Sequence, residues 1–147
     1  MTAPVSVRLL DSRARLPVYG SPDAAGADLY ALTDGPVAVA PGQTVLIRTG
    51  LALAIPAGYV GLVYARSGLA TRPGLAPANK VGVIDADYRG ELMVSLHNHS
   101  EAYRFVEDGE RIAQLVIVPY LTAQFTQADE LEATQRGEGG FGSTGSK

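Results

Sequence analysis

Short hydrophobic runs recur along most of the chain, and polar turns separate them. The runs are rich in Val, Ile and Tyr, which favour strands, while Pro-Gly, Asp-Gly and Pro-Ala-Gly sequences mark the turns. The pattern predicts strands over 5–10, 37–40, 44–55, 58–64, 81–84, 91–97, 104–106 and 111–120. Many short strands are typical of a sandwich, jelly roll or barrel, so the predicted fold is all-β.

Helical periodicity is scarce. At most one short helix fits after Ser67, where the sequence SGLATR precedes Pro73, and a helical turn is predicted near 129–134. No repeat of solenoid or propeller length occurs, and no linker divides the chain. With 147 residues, of which 46% are hydrophobic and 18% charged, the chain is expected to form one globular domain.

Charge and composition narrow the range of partners. The net charge is −3, and lysine occurs only as Lys80 and Lys147, so no basic stripe of the kind that binds polynucleotides is present. The arginines stand singly, which suits the binding of individual phosphates and indicates a small anionic ligand. Because the sequence has no cysteine, thiolate catalysis and cysteine zinc sites are excluded. No signal sequence or membrane span is recognised, so we expect a cytoplasmic location and no membrane partner.

The glycine-rich segment RGEGGFGSTGSK (136–147) is the one low-complexity stretch. It contains a G-x-G-x-x-G pattern, but no helix can follow it to hold a pyrophosphate and no βαβ unit precedes it, so a dinucleotide site is rejected. A P-loop is rejected for the same reason. Glycine lets backbone N–H groups close around an anion, so this segment is a candidate lid on a domain formed by 1–135.

Three further segments carry candidate chemistry. His97 and His99 face the same way on a strand but have no evident third ligand, so we interpret them as surface residues. Residues 79–92 (NKVGVIDADYRGEL) are predicted to form a hairpin with an acidic turn, which is either a plain solvated turn or a functional tip. The sequence ARSG (65–68) suits a phosphate or a helix cap.

Taken together, five segments in this order resemble the five motifs of the trimeric dUTPase family. They are AGADLYA (25–31), ARSGLA (65–70), GVIDADYRGE (82–91), GERIAQLVIVP (109–119) and RGEGGFGSTG (136–145). The resemblance spans nearly the whole chain. It implies a distorted jelly-roll or β-barrel subunit in a homotrimer, with active sites at subunit interfaces and a C-terminal lid. The implied activity is hydrolysis of dUTP to dUMP and pyrophosphate, which limits uracil incorporation into DNA and supplies dUMP for dTMP synthesis.

The resemblance also implies roles for individual residues. Asp85 matches the carboxylate that activates water for attack on the α-phosphorus, and Asp28 and Arg111 match supporting positions. The phosphate chain is expected to contact a set of polar and glycine residues, namely Arg66, Ser67, Gly68, Gln114, Arg136, Ser143 and Thr144. Uracil and deoxyribose are expected to contact Asn79, Gly82, Val83, Ile84, Asp85, Tyr88, Met93 and Phe141. Tyr88 would exclude a 2′-hydroxyl, and backbone groups would distinguish uracil from cytosine.

The implied cofactor is Mg²⁺, held mainly by phosphates and water rather than by direct protein ligands. Two alternatives remain. The dCTP deaminase family resembles this chain in its second and third motifs, but it carries a catalytic glutamate where this chain has Ser95. A trimeric module that binds nucleotide without catalysis would need the pocket but not Asp85.

Overall fold

The computed structural model describes residues 3–71 and 74–140, with side chains described up to 69 and from 74. Within these residues the strands follow the chain as β1 to β11, and one helix, α1, lies between β6 and β7. Their bounds are β1 Ser6–Leu9, β2 Val18–Tyr19, β3 Ala27–Tyr30, β4 Val37–Val39, β5 Thr44–Ala54, β6 Tyr59–Tyr64, α1 Ser67–Thr71, β7 Leu75–Pro77, β8 Val81–Ile84, β9 Glu91–Asn98, β10 Arg104–Val106 and β11 Arg111–Pro119.

The strands form three sheets around one core. Their orders are β1-β5-β9-β7, β10-β4 and β2-β3-β11-β6-β8, and every strand pair is antiparallel. Residues that alternate along β3, β9 and β11 face inward because successive side chains of a strand point to opposite sides. The most deeply buried of them include Leu29, Leu92, Leu96 and Ile112. The outward residues of the same strands remain available for a site.

The predicted all-β class is confirmed, and the eight predicted strands are found within one or two residues of their expected bounds. The helix after Ser67 is also found. Strands β2, β3 and β7 were not predicted. They have only two to four residues, and β7 includes Pro77, which an edge strand tolerates because no ladder hydrogen bond is lost there.

Two local predictions are wrong. Residues 129–134 contain no helical turn, only a bend within an extended segment. Residues 79–92 are not a hairpin, because β8 pairs with β6 in the five-stranded sheet whereas β9 pairs with β5 and β7 in the four-stranded sheet. Residues 85–90, here termed the 85–90 connection, therefore carry the chain from one sheet to another. The sequence of residues 79–92 does not show this, because the strands that β8 and β9 pair with lie outside that segment.

The segment after β11 leaves the body of the chain. From 121 to 140 the structure has no strand or helix. Three large apolar side chains in it are almost fully exposed: Leu121 at 97%, Phe125 at 95% and Leu131 at 89%. No helix among the described residues is long and apolar enough to cross a membrane.

Candidate active site

Two arginines converge on one carboxylate at the end of the five-stranded sheet. Arg66 Nε donates to Asp28 Oδ1 over 2.7 Å, and Arg111 Nη1 donates to Asp28 Oδ2 over 3.3 Å. The Arg66 guanidinium also reaches the Arg111 carbonyl at 3.5 Å. We call Asp28, Arg66, Arg111 and the adjacent Gln114 the arginine cluster.

Strand register explains why these residues meet. Gln114 of β11 lies opposite Asp28 of β3 on one side and opposite Tyr64 of β6 on the other. Arg66 follows β6 directly, and the Gln114 amide fixes that turn by donating to the Ala65 carbonyl over 2.9 Å. Three segments that are distant in sequence therefore hold the cluster on a rigid sheet.

The arginine cluster carries two guanidinium groups and one carboxylate, so its formal charge is +1. The Asp28 side chain is 13% exposed, Arg66 is 24% exposed and Arg111 is 54% exposed. The carboxylate is thus largely covered, while the cations keep donors that face solvent. Guanidinium groups already oriented by a largely covered partner suit a phosphate group, because little side-chain entropy is lost when it binds. Ser67 and Gly68 begin α1 immediately beside Arg66.

A second candidate feature is a surface pocket of about 320 Å³. We call it the Asp85 pocket. It brings together five of the predicted base and sugar residues with three that were not predicted. Its lining comprises Leu46, Val83, Ile84, Asp85, Tyr88, Glu91, Leu92 and Met93. Val83 is 60% exposed and Tyr88 is 46% exposed, so apolar surface is presented outward rather than to the core.

Strand β8 forms one wall of the Asp85 pocket and lies at the edge of its sheet. One side of its backbone pairs with β6, from Tyr64↔Val81 to Gly61↔Ile84. The other side carries N–H and C=O groups that no strand of that sheet uses, and such an edge can pair with another polar planar group. Gly82 and Asn79 lie at the start of this edge, where a Cβ at Gly82 would be 3.1 Å from Asn79 Nδ2.

The 85–90 connection has a defined internal structure. Tyr88 N donates to the Asp85 carbonyl over 3.1 Å, and the Tyr88 hydroxyl donates to the Glu91 carbonyl over 3.0 Å. Arg89 Nη1 donates to the Ala86 and Tyr88 carbonyls over 2.6 and 2.9 Å. A Cβ at Gly90 would overlap the Tyr88 hydroxyl, so glycine permits the tyrosine to fold back over the connection. The exposed Asp85 and Tyr88 side chains are thus carried on a closed turn.

Within one chain, Arg66 and Asp85 lie at opposite ends of the β6–β8 pair. Arg66 follows the Tyr64 end of the β6–β8 pair, and Asp85 follows the Gly61 end. An extended strand spans about 10 Å from Gly61 to Tyr64, so the strand ends next to Asp85 and Arg66 are about that far apart, whereas Gly82 lies opposite Val63, near the Arg66 end.

The remaining predicted residues fall elsewhere. Arg136 joins neither group: its Nε donates to the Gly139 carbonyl over 2.8 Å in the exposed C-terminal segment. Phe141, Ser143 and Thr144 lie outside the described residues. Among those described, no three His, Asp or Glu side chains converge to form a metal site.

Sequence reasoning missed Leu46, Leu92 and Glu91 as pocket residues. Leu46 lies opposite Ser95 in the β5–β9 pairing, so the alternation of β5 could have indicated that it faces outward, but not what it faces. The Glu91 carboxylate reaches back to β5, where it accepts from Arg48 Nε and from Gly50 N. Because these partners are more than 40 residues away in the sequence, no local pattern indicates the contact.

The chain resembles known dUTPases in sequence and in fold. A curated deoxyuridine 5′-triphosphate nucleotidohydrolase of Syntrophotalea carbinolica is 52% identical over 144 residues, covering 98% of each chain. A mutant dUTPase of Staphylococcus bacteriophage 80alpha, solved with dUpNHpp, has a TM-score of 0.90 at 34% identity, over 99% of this chain and 100% of its own. A mutant dUTPase from phage phi11 of S. aureus, described with the coordination of a structural Mg(II) ion, has a TM-score of 0.79 at 29% identity over 88% of this chain and 99% of its own. The family model described as dUTPase matches residues 12–145, and the chain belongs to the dUTPase family.

Proposed function

We propose that this chain is a dUTP diphosphatase, which hydrolyses dUTP to dUMP and pyrophosphate. One observation carries the proposal in the structure: Asp28 orients both Arg66 and Arg111 on the sheet of a dUTPase fold. Two oriented guanidinium groups suit a polyphosphate. A single exposed lysine would bind its charge too, but with less geometric selectivity. By removing dUTP, the enzyme would limit uracil incorporation into DNA and supply dUMP for dTMP synthesis.

The phosphate chain is assigned to the arginine cluster. Arg66 and Gln114 lie together at the end of β6 and β11, and Ser67 and Gly68 begin the adjacent helix. In this assignment Ser67 lies near the bridging oxygen that gains charge as pyrophosphate leaves. Donors placed at such an oxygen accelerate the reaction because they bind the transition state more strongly than the substrate.

The base and sugar are assigned to the Asp85 pocket. The unpaired edge of β8, around Gly82, Val83 and Ile84, would pair with uracil, with Asn79 beside it. Cytosine presents the opposite donor and acceptor pattern, so its binding would leave buried polar groups unpaired. Tyr88 and Met93, both exposed on the pocket wall, are assigned to the deoxyribose side.

Asp85 is assigned as the general base. Its side chain is exposed at the pocket and is carried by the closed turn of the 85–90 connection, so it can accept a proton from water without rearrangement of the backbone. Bound Mg²⁺ would neutralise phosphate charge and favour attack on the α-phosphorus. The ion would be held mainly by substrate oxygens and water, because Mg²⁺ dehydrates reluctantly.

A homotrimer with interface sites is proposed on two grounds. Arg66 and Asp85 lie at opposite ends of the β6–β8 pair, so a second copy would be needed to bring an Arg66 beside Asp85. In addition, Leu121, Phe125 and Leu131 are almost fully exposed in an extended segment, which suits burial against a neighbouring subunit.

Residues 136–147 are proposed to close over the bound nucleotide as a lid, separate from the barrel of residues 1–135. Arg136 would then engage the γ-phosphate, Ser143 and Thr144 would add hydroxyl donors, and Phe141 would stack on uracil. The cytoplasmic location expected from the sequence stays a prediction.

The activity is tested by incubating the purified protein with dUTP, dCTP, dTTP and UTP, with and without a chelator, while pyrophosphate and ammonia are measured. We expect pyrophosphate from dUTP alone and its loss with the chelator. The Asp85→Asn variant should lose turnover but still bind nucleotide, whereas a non-catalytic binder would show no turnover in either form. Ammonia from dCTP would support a deaminase and overturn the proposal.

A further inference from the structure

Glu91 is the first residue of β9 and connects the Asp85 pocket to a distortion in β5. The β5–β9 register shifts between Arg48, which lies opposite Met93, and Leu51, which lies opposite Leu92. Gly50 stands in this bulge with a φ of 71°, and its N–H donates to Glu91 Oε1 over 2.9 Å. Arg48 Nε lies 3.1 and 3.2 Å from the two carboxylate oxygens of Glu91.

The main chain of Glu91 contacts the 85–90 connection. Its carbonyl accepts the hydrogen bond from the Tyr88 hydroxyl over 3.0 Å. The tyrosine ring therefore takes its position from the Glu91 backbone, and the carboxylate of the same residue ties that backbone to β5. The Glu91 side chain is only 19% exposed, so the attachment is largely shielded from water.

We propose that Glu91 is a positioning residue for sugar selectivity, which holds the Tyr88 ring against the nucleotide through the β5 bulge. This inference rests on the proposed function, because it assigns Tyr88 to the face that excludes a 2′-hydroxyl. Without the carboxylate, the start of β9 loses its attachment to Gly50 N. The hydroxyl of Tyr88 then loses a fixed acceptor, and the ring gains freedom to move away and admit the larger sugar.

The measurement is the ratio of kcat/KM for dUTP to kcat/KM for UTP in the full-length protein. We expect Glu91→Ala to lower this ratio by about tenfold, the factor that one hydrogen bond of ordinary strength can carry. Glu91→Gln keeps an oxygen acceptor for Gly50 N and should retain a ratio within about threefold of the wild type. Tyr88→Phe removes the hydroxyl itself and should lower the ratio as Glu91→Ala does.

Gln43 offers a control. Its Oε1 accepts from Ala40 N over 2.8 Å, so it also ties a turn through a side-chain oxygen and a backbone N–H. Gln43 immediately precedes β5, at the end of that strand away from Gly50, and it does not line the Asp85 pocket. Gln43→Ala therefore removes a comparable side-chain to backbone hydrogen bond outside the pocket and should keep the wild-type ratio.

Different outcomes test the proposed function and the role of Glu91. If wild-type protein fails to hydrolyse dUTP, the proposed function is wrong. If the wild type discriminates against UTP and Glu91→Ala keeps that discrimination, or if Gln43→Ala loses it equally, the role of Glu91 is overturned. Should Glu91→Ala fail to fold, Tyr88→Phe decides: an unchanged ratio overturns the proposal, and a lowered ratio alongside a near-normal Glu91→Gln supports it.

Discussion

Arg66 and Asp85 lie at opposite ends of the same antiparallel strand pair, β6 and β8. The first belongs to a cluster of donors that suits phosphate, and the second belongs to a pocket that suits a base and sugar. Because the rigid strands hold the two groups apart, small side-chain movements cannot bring them together in one chain. Assembly of several copies is the simplest route to a complete site, and it makes activity depend on quaternary structure.

The role of Asp28 is tested by Asp28→Asn. The asparagine amide is neutral and has only one acceptor oxygen, so it cannot hold both guanidinium groups as the carboxylate does. Arg66 and Arg111 should therefore lose their fixed orientation. We expect kcat/KM for dUTP to fall by about 10- to 100-fold, as small misplacements of positioning groups can cause. The control is Asp34→Asn, since Asp34 contacts Arg13 at 3.1 Å but is 93% exposed. Equal activity of Asp28→Asn and the wild type would contradict the assigned role.

The bulge in β5 is tested by Gly50→Ala. A Cβ there would lie 2.7 Å from both Ala14 Cβ and Leu32 Cδ2, at a φ of 71°. We expect the free energy of unfolding to fall by about 2–4 kcal/mol because backbone strain and overlap add. Gly42→Ala is the matched control: its φ is 72°, but no atom lies within 4 Å of the added Cβ, so about 1 kcal/mol should be lost. Urea unfolding of both variants measures the two losses of unfolding free energy. Equal losses would show that crowding at Gly50 is unimportant.

The exposed segment after β11 is tested by the double change Leu121→Ser and Phe125→Ser. If these side chains are buried against a neighbour, the proposed trimer of the double variant should dissociate at a higher protein concentration than that of the wild type, because apolar burial drives association. Light scattering across a dilution series gives the mass. Leu16→Ser, at a residue that is 54% exposed outside this segment, should leave association unchanged. A double variant with wild-type association would remove the segment from the interface.

Much of the fold could be predicted from the sequence because the longer strands carry Val and Ile in a regular pattern. β3 was missed because it has only four residues and one of them is the charged Asp28. The carboxylate of Asp28 is explained by its two arginine partners, which are distant in the sequence. The 85–90 connection was taken for a hairpin because turn residues do not reveal which sheet receives the next strand. The motif resemblance named most candidate site residues, but Glu91 acts through β5 and could not be assigned from local sequence.

Subunit complementation tests the shared site most directly. Asp85→Asn and Arg66→Ala should each be inactive alone. When they are unfolded together in equal amounts and refolded, about one quarter of the sites should combine an intact Asp85 from one chain with an intact Arg66 from another. We expect dUTP hydrolysis to recover to about that fraction of the wild-type rate. A mixture no more active than the separate variants would contradict a site built from Asp85 and Arg66 of different chains.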